Sequence, residues 1–192
     1  NGSLLLVTLL IGLVLPPRSP GWLALVGAWG GMILGRELFG GFAQHVFHPA
    51  LVAHALLAVL FPRWMEEFSW AQGFGLPPQA AQWAACAGGA LLVRTRLVSW
   101  KVPVCHIGAA IFCWWVLTQG LPSGSFLAGV LIAAFFFCTD PVTTPVEENG
   151  RILFAAGSAC LAVLITVSGS TPHGETYALL FINACVPLIG RF

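Results

Sequence analysis

Residues 123–145 read SGSFLAGVLIAAFFFCTDPVTTP: small polar residues, an unbroken apolar run, then a Thr-Asp-Pro stop. Crossing the ~30 Å hydrocarbon core takes about 20 apolar residues in helical form, so a run ending at Cys138 is too short to span straight. A short apolar helix that stops on a polar, proline-containing loop is tolerated at membrane depth only where protein or a cavity covers it. This stretch is therefore read as a half-buried helix delivering a loop to an interior site. The same layout opens the chain, where residues 1–16 read NGSLLLVTLLIGLVLP.

The likeness continues beyond these two runs. Gly21 and Gly40 are 19 residues apart, as are Gly150 and Gly169, and Ala50-Leu51 and Ala178-Leu179 follow at 10 and 9 residues. Two copies of one unit are the expectation, residues 1–62 and 123–192, joined by connecting helices within 79–118, all in a single membrane domain 1–192. Composition agrees. The 192 residues are 58% hydrophobic and 8% charged, against about 45–50% and 25% in soluble domains. The net charge of +1 suggests no nucleic-acid partner, and 8 Trp with 14 Phe exclude a disordered chain.

Eight apolar segments are expected to be helices: 2–15, 22–34, 50–61, 79–93, 102–118, 125–138, 152–168 and 176–189. The fold class is an all-α polytopic membrane protein of transmembrane and half-spanning helices. Five segments precede the second copy, so it enters from the opposite side and the copies are expected to be inverted. By that symmetry two helices are expected ahead of Asn1, completing ten. If the segments alternate, Arg36, Arg94, Arg96, Lys101, Arg151 and Arg191 lie on one side and only Arg18 and Arg63 on the other. The positive-inside rule then places both ends in the cytoplasm.

Three polar connections could carry chemistry. In 35–50, GRELFGGFAQHVFHPA, Gly40 and Gly41 let backbone approach a ligand, Pro49 suits a first helical turn, and His48 falls in the N-cap region, one turn from His45 if that stretch is helical. The two histidines either contact a ligand at the helix start or only cap it. In 138–145, Asp140 is either a functional intramembrane acid or the cap of the next turn. The third, 168–175, is followed by Asn183, a ligand group or an interhelical hydrogen bond. His54 and His106 sit in apolar surroundings; their spacing gives no support for a haem pair, and they read as structural histidines. Six cysteines in apolar stretches contain no C-x-x-C pair and read as buried free thiols. Phosphate-loop, dinucleotide, zinc-protease and serine-hydrolase motifs do not occur, and no metal site is expected.

With these residues in view, Gly35–Gly41 through Phe47-His48-Pro49-Ala50-Leu51, Thr139-Asp140-Pro141-Val142-Thr143-Thr144-Pro145-Val146 and Asn183-Ala184-Cys185-Val186-Pro187-Leu188-Ile189 together resemble the NqrB/RnfD family. These are membrane flavoprotein subunits of the sodium-translocating NADH:quinone reductase and of the Rnf complex. The resemblance implies ten helices in two inverted halves, a fold shared with urea-transporter-like proteins, and electron transfer through flavin. It also implies FMN joined to the Thr of an S-G-A-T motif after the fifth helix, with riboflavin or quinone in some members.

Two departures bear on that. The corresponding loop, 63–78, reads RWMEEFSWAQGFGLPP and contains no threonine, so FMN cannot be esterified there. His45 and His48 stand where the family has asparagines, and imidazole lacks the amide's paired donor and acceptor. The expectation is an electron-transport subunit holding flavin (FMN or riboflavin) or quinone noncovalently, with Gly40, Gly41, His45, Phe47, His48, Pro49, Thr139, Asp140, Thr143 and Asn183 around it. The partners are lipid and other subunits of a complex. The alternatives are a cofactor-free scaffold subunit and a solute or ion pathway.

Overall fold

A computed structural model describes residues 8–12, 14–16, 19–41, 44–65 and 78–189. The first copy's leading segment is helical over 8–12. It then turns at Val14, whose N–H donates to Leu10 O and Ile11 O at 3.2 and 3.1 Å, earlier than the apolar run predicts. Pro16 accounts for the stop, because a proline disfavours helical backbone in the residue before it.

Seven longer helices follow: α1 (Gly21–Gly35), α2 (Pro49–Leu60), α3 (Pro78–Arg94), α4 (Lys101–Thr118), α5 (Gly124–Ile132), α6 (Glu148–Gly169) and α7 (Gly174–Ile189). α2 and α3 begin on proline, whose fixed φ suits a first turn and whose missing N–H costs nothing there. Ser123 caps α5 by accepting the Phe126 N–H at 3.3 Å. α4 and α6 end on Gln119 and Ser170, both left-handed. Among the described residues there is no strand.

Only α4 and α6, of 18 and 22 residues, are long and apolar enough to cross a membrane by length alone among the described residues. α2, with 12 residues, rises ~18 Å, short of the ~30 Å hydrocarbon core. α5 changes at Ala133–Phe137 into a π-helical turn. The widened turn ends the helix on the Thr-Asp-Pro loop, the kind of place where π-turns concentrate.

The packing is close and locally glycine-dependent. α1 lies on α2 and α6 on α7; α4 packs on α6, α3 on α5, and α2 touches α7. A Cβ on Gly31 would stand 2.5 Å from the Pro49 carbonyl oxygen, and one on Gly35 2.9 Å from Pro49 Cα. At α7, a Cβ on Gly174 would stand 2.6 Å from the Ala162 carbonyl oxygen. Both contacts fix a helix start against a neighbour's backbone, and both starts carry buried polar residues, His48 at α2 and Glu175 at α7. The outer surface is apolar: Trp29 is 70% exposed, Trp83 75% and Phe112 64%. Water would penalise such a surface, whereas lipid matches it.

Candidate functional site

The two motif loops meet at His48. Its side chain caps α2, Nδ1 accepting the Ala50 N–H at 3.2 Å, while its ring stands edge-on to Phe137 at 5.0 Å and 87°. Burial pushes the His48 pKa down from 6.5 to about 4; Asp140 opposes that shift and His45 adds to it. Residues 44–47 form a turn and bend, so His45 is not one helical turn from His48. His45 Nδ1 is buried and makes no hydrogen bond among the described residues.

Gly40 and Gly41 have φ of 105° and 88°, which explains two glycines in succession. They close a 3-10 turn at Glu37–Phe39, with the Gly41 N–H donating to Arg36 O at 3.0 Å. Phe47 packs edge-on against Phe39 at 5.4 Å. The glycines and Phe47 thus shape the loop, while His48 faces Phe137 and the buried Pro49 lies against Gly31 and Gly35 of α1.

Asp140 caps its own loop. Oδ1 accepts the Val142 N–H at 3.3 Å, Oδ2 accepts the Thr143 hydroxyl at 2.9 Å, and Asp140 O accepts the Thr144 hydroxyl at 2.7 Å. Thr139 Oγ1 donates back to Phe135 O at 2.6 Å. On this loop's side toward α4 lies a cavity of about 250 Å³, walled in part by Ser99, Val102, Thr139, Pro141, Thr144 and Arg151. Arg151 Nη2 donates to Val146 O at 2.9 Å, and its Nε is buried without a hydrogen bond among the described residues. Asn183, 2% exposed in α7, has a buried Oδ1 that likewise has no hydrogen bond among them. The structure sets His48 against Phe137, two residues ahead of Thr139, and puts Thr139 on the cavity wall. It places Asn183 on a different element.

Two further polar clusters lie inside the apolar body. His54 Nδ1 is 2.9 Å from Val14 O, which only accepts, so Nδ1 carries the proton; Nε2 then accepts from His173 Nδ1 at 3.0 Å. Burial lowers the His173 pKa. His106, fully buried in α4, has Nδ1 3.0 Å from Ala155 O, with Ser158 Oγ at 3.2 Å and Cys138 Sγ at 3.4 Å. Its Nε2 faces Glu175 Oε2 at 3.5 Å. Glu175 is 2% exposed. Sequence reasoning placed it at the end of a loop; the useful signal was an acid just ahead of an apolar segment, opposite an apolar-helix histidine. All six cysteines are free, but only Cys138 is buried; Cys160 is exposed and lies 3.0 Å from Cys113. The threonine-free loop falls mostly outside the described residues, over 66–77.

Short and long apolar helices, an apolar exterior and polar loops brought together within it define an all-helical integral membrane protein. Its family follows from sequence similarity: the profile described as NQR2, RnfD, RnfE matches residues 1–76 and 74–192, and the chain belongs to that family. It is 28% identical over 241 positions to a subunit of the proton-translocating ferredoxin:NAD(+) oxidoreductase complex of Clostridium ljungdahlii, covering all of this chain and 73% of that protein. It is 26% identical over 261 positions to a subunit of the ion-translocating oxidoreductase complex of Stutzerimonas stutzeri, covering all of this chain and 74% of the relative. With the equivalent Methanosarcina acetivorans subunit the identity is 29% over 204 positions, covering 98% of this chain and 69% of the relative. The two family matches meet at 74–76, within the loop that lacks threonine.

Proposed function

We propose that this chain is the membrane-embedded electron-transport subunit of an ion-translocating oxidoreductase complex, holding a flavin or a quinone noncovalently beside the loops 40–49 and 139–145. The supporting observation is the buried His48–Phe137 contact at 5.0 Å, which sets the 40–49 loop against the π-turn that leads into 139–145. The polar groups fit such a ligand. Arg151 Nε, buried and without a hydrogen bond among the described residues, belongs to the cavity wall and could donate to a carbonyl-rich ring or an anionic group, and His45 Nδ1, likewise buried and unbonded among them, lies on the other loop. The cavity of about 250 Å³ is smaller than the ~300–1,000 Å³ of whole-ligand pockets, and so suits a quinone head or one end of a flavin.

The bound group would supply the electron chemistry; the protein's part is to bind, orient and exclude water. Thr139 and Thr144 are held by loop hydrogen bonds and give the cavity a fixed wall. Thr143 and Asp140 keep the loop in shape, Gly40, Gly41 and Phe47 shape the opposing loop, and Asn183 offers a further acceptor. Other subunits of the complex and lipid would cover the apolar exterior. The proposed location is a bacterial inner membrane with both ends cytoplasmic, the two copies inverted.

Purified chain should show flavin absorption near ~450 nm or release a quinone on organic extraction, as colour and mass spectrometry report. Absence of both would overturn the cofactor reading. It would favour a cofactor-free scaffold subunit, which the missing threonine of 63–78 also supports.

A further inference from the structure

The His106–Glu175 pair has a geometry that fixes its proton count. Ala155 O only accepts, so the imidazole nitrogen 3.0 Å away, Nδ1, carries a hydrogen. Nε2 then confronts Glu175 Oε2 at 3.5 Å, with both side chains buried. A bare lone pair against a bare carboxylate would leave two acceptors facing each other and a net negative charge buried in an apolar body, the costliest of the arrangements. One proton between them makes the pair neutral overall. Glu175 lies in the first turn of α7, where the helix end favours the ionised carboxylate, so the proton resides on Nε2.

The pair is also slack. Among the described residues neither Glu175 oxygen receives a hydrogen bond, and His106 Nε2 makes none. A purely architectural pair at such depth would be expected to be fully bonded. Besides Glu175, the side chains facing His106 are Cys138, which follows the π-turn, and Ser158 from α6, so a thiol is the one other ionisable group among these neighbours. Cys138 also borders the cavity beside Thr139.

We propose that His106 and Glu175 form a proton-binding site inside the membrane body, holding one exchangeable proton at rest and taking a second on the Glu175 carboxylate. In the resting state imidazolium and carboxylate sum to zero. Uptake of one proton forms the Glu175 O–H bond and leaves the pair at plus one; release restores it, with no electron moved. Ionisable residues placed within membrane segments are characteristic of proton relays.

The test uses the full chain in lipid nanodiscs, with nitrogen NMR of labelled histidines and infrared spectroscopy of the carboxyl region followed across pH. At neutral pH the wild type should show a His106 imidazolium with an ionised Glu175. On acidification one buried carboxyl band should appear, and both signals should shift on transfer to deuterium oxide. E175Q should lose the carboxyl band and return His106 to a neutral ring; H106Q should remove the imidazolium signal. A neutral His106 beside an ionised Glu175 at neutral pH, or signals that fail to exchange with deuterium oxide, would overturn the proposal. Should a variant fail to fold, the wild-type protonation and exchange data decide alone.

Discussion

Replacing Gly31 by alanine should separate a packing effect from a helix-propensity effect, because the two have opposite signs. The new Cβ would stand 2.5 Å from Pro49 O, 2.7 Å from Ala53 Cβ and 3.2 Å from Ala53 Cα. Two of these partners are backbone atoms, so relief requires α1 and α2 to move apart rather than a rotamer change. Overpacking of this kind costs roughly 1–3 kcal/mol, while alanine in a helix interior gains up to about 1 kcal/mol over glycine. G31A should therefore lose about 1–2 kcal/mol net. Gly108 in α4 is the matched control, since a Cβ there meets nothing within 4 Å. G108A should be neutral or gain up to ~1 kcal/mol. G27A belongs between them, because its 2.7 Å neighbour is the flexible end of Leu57. Thermal unfolding of the purified variants in one detergent, read by loss of helical circular dichroism, supplies the ranking. A G31A protein as stable as G108A would refute the claim that backbone contact at Gly31 sets the α1–α2 spacing.

Other consequences are equally open to measurement. His48 titrates near 4 when folded and 6.5 when free, so its contribution is intact above pH 6.5, falls as the unfolded chain binds protons below it, and levels off near pH 4. The full loss is up to about 3 kcal/mol, and a stability–pH curve should flatten in H48N, whose amide can still cap α2. Removing the loop's organiser in D140A should lower stability by about 1–2 kcal/mol, while D140N loses less because its carbonyl oxygen still accepts the Val142 N–H. Cys113 and Cys160, at 3.0 Å, should be joined by a mild oxidant, seen as a loss of two thiols in alkylation mass spectrometry and absent in C160S.

The helix pattern was open to sequence reading because lipid imposes it. Apolar runs, proline starts and glycine punctuation placed the long helices closely, and their shortness already implied interior loops. α6 is the exception at its start: it begins at Glu148, ahead of the apolar run, because its first turn is polar and hydropathy does not register it. The Thr-Asp-Pro and Gly-Gly loops were recognisable, yet their residues' roles were not. Asp140 as cap and Thr143 as its bonded partner depend on turn geometry that spacing leaves undetermined. His45 stands one turn from His48 only if that stretch is helical, and residues 44–47 instead form a turn and bend.

By itself the sequence determined the solvent of this protein and the order of its helices, since hydropathy and helix breakers act locally. It also carried the family motifs. Only the tertiary structure decided which polar residues meet: His48 with Phe137 across 89 positions, and His106 with Glu175 across 69. Such pairings follow from close helix contacts at Gly31 and Gly174, whose absent Cβ atoms let a helix start sit on a neighbour's backbone. A glycine in the sequence is silent about which backbone fills the space it leaves.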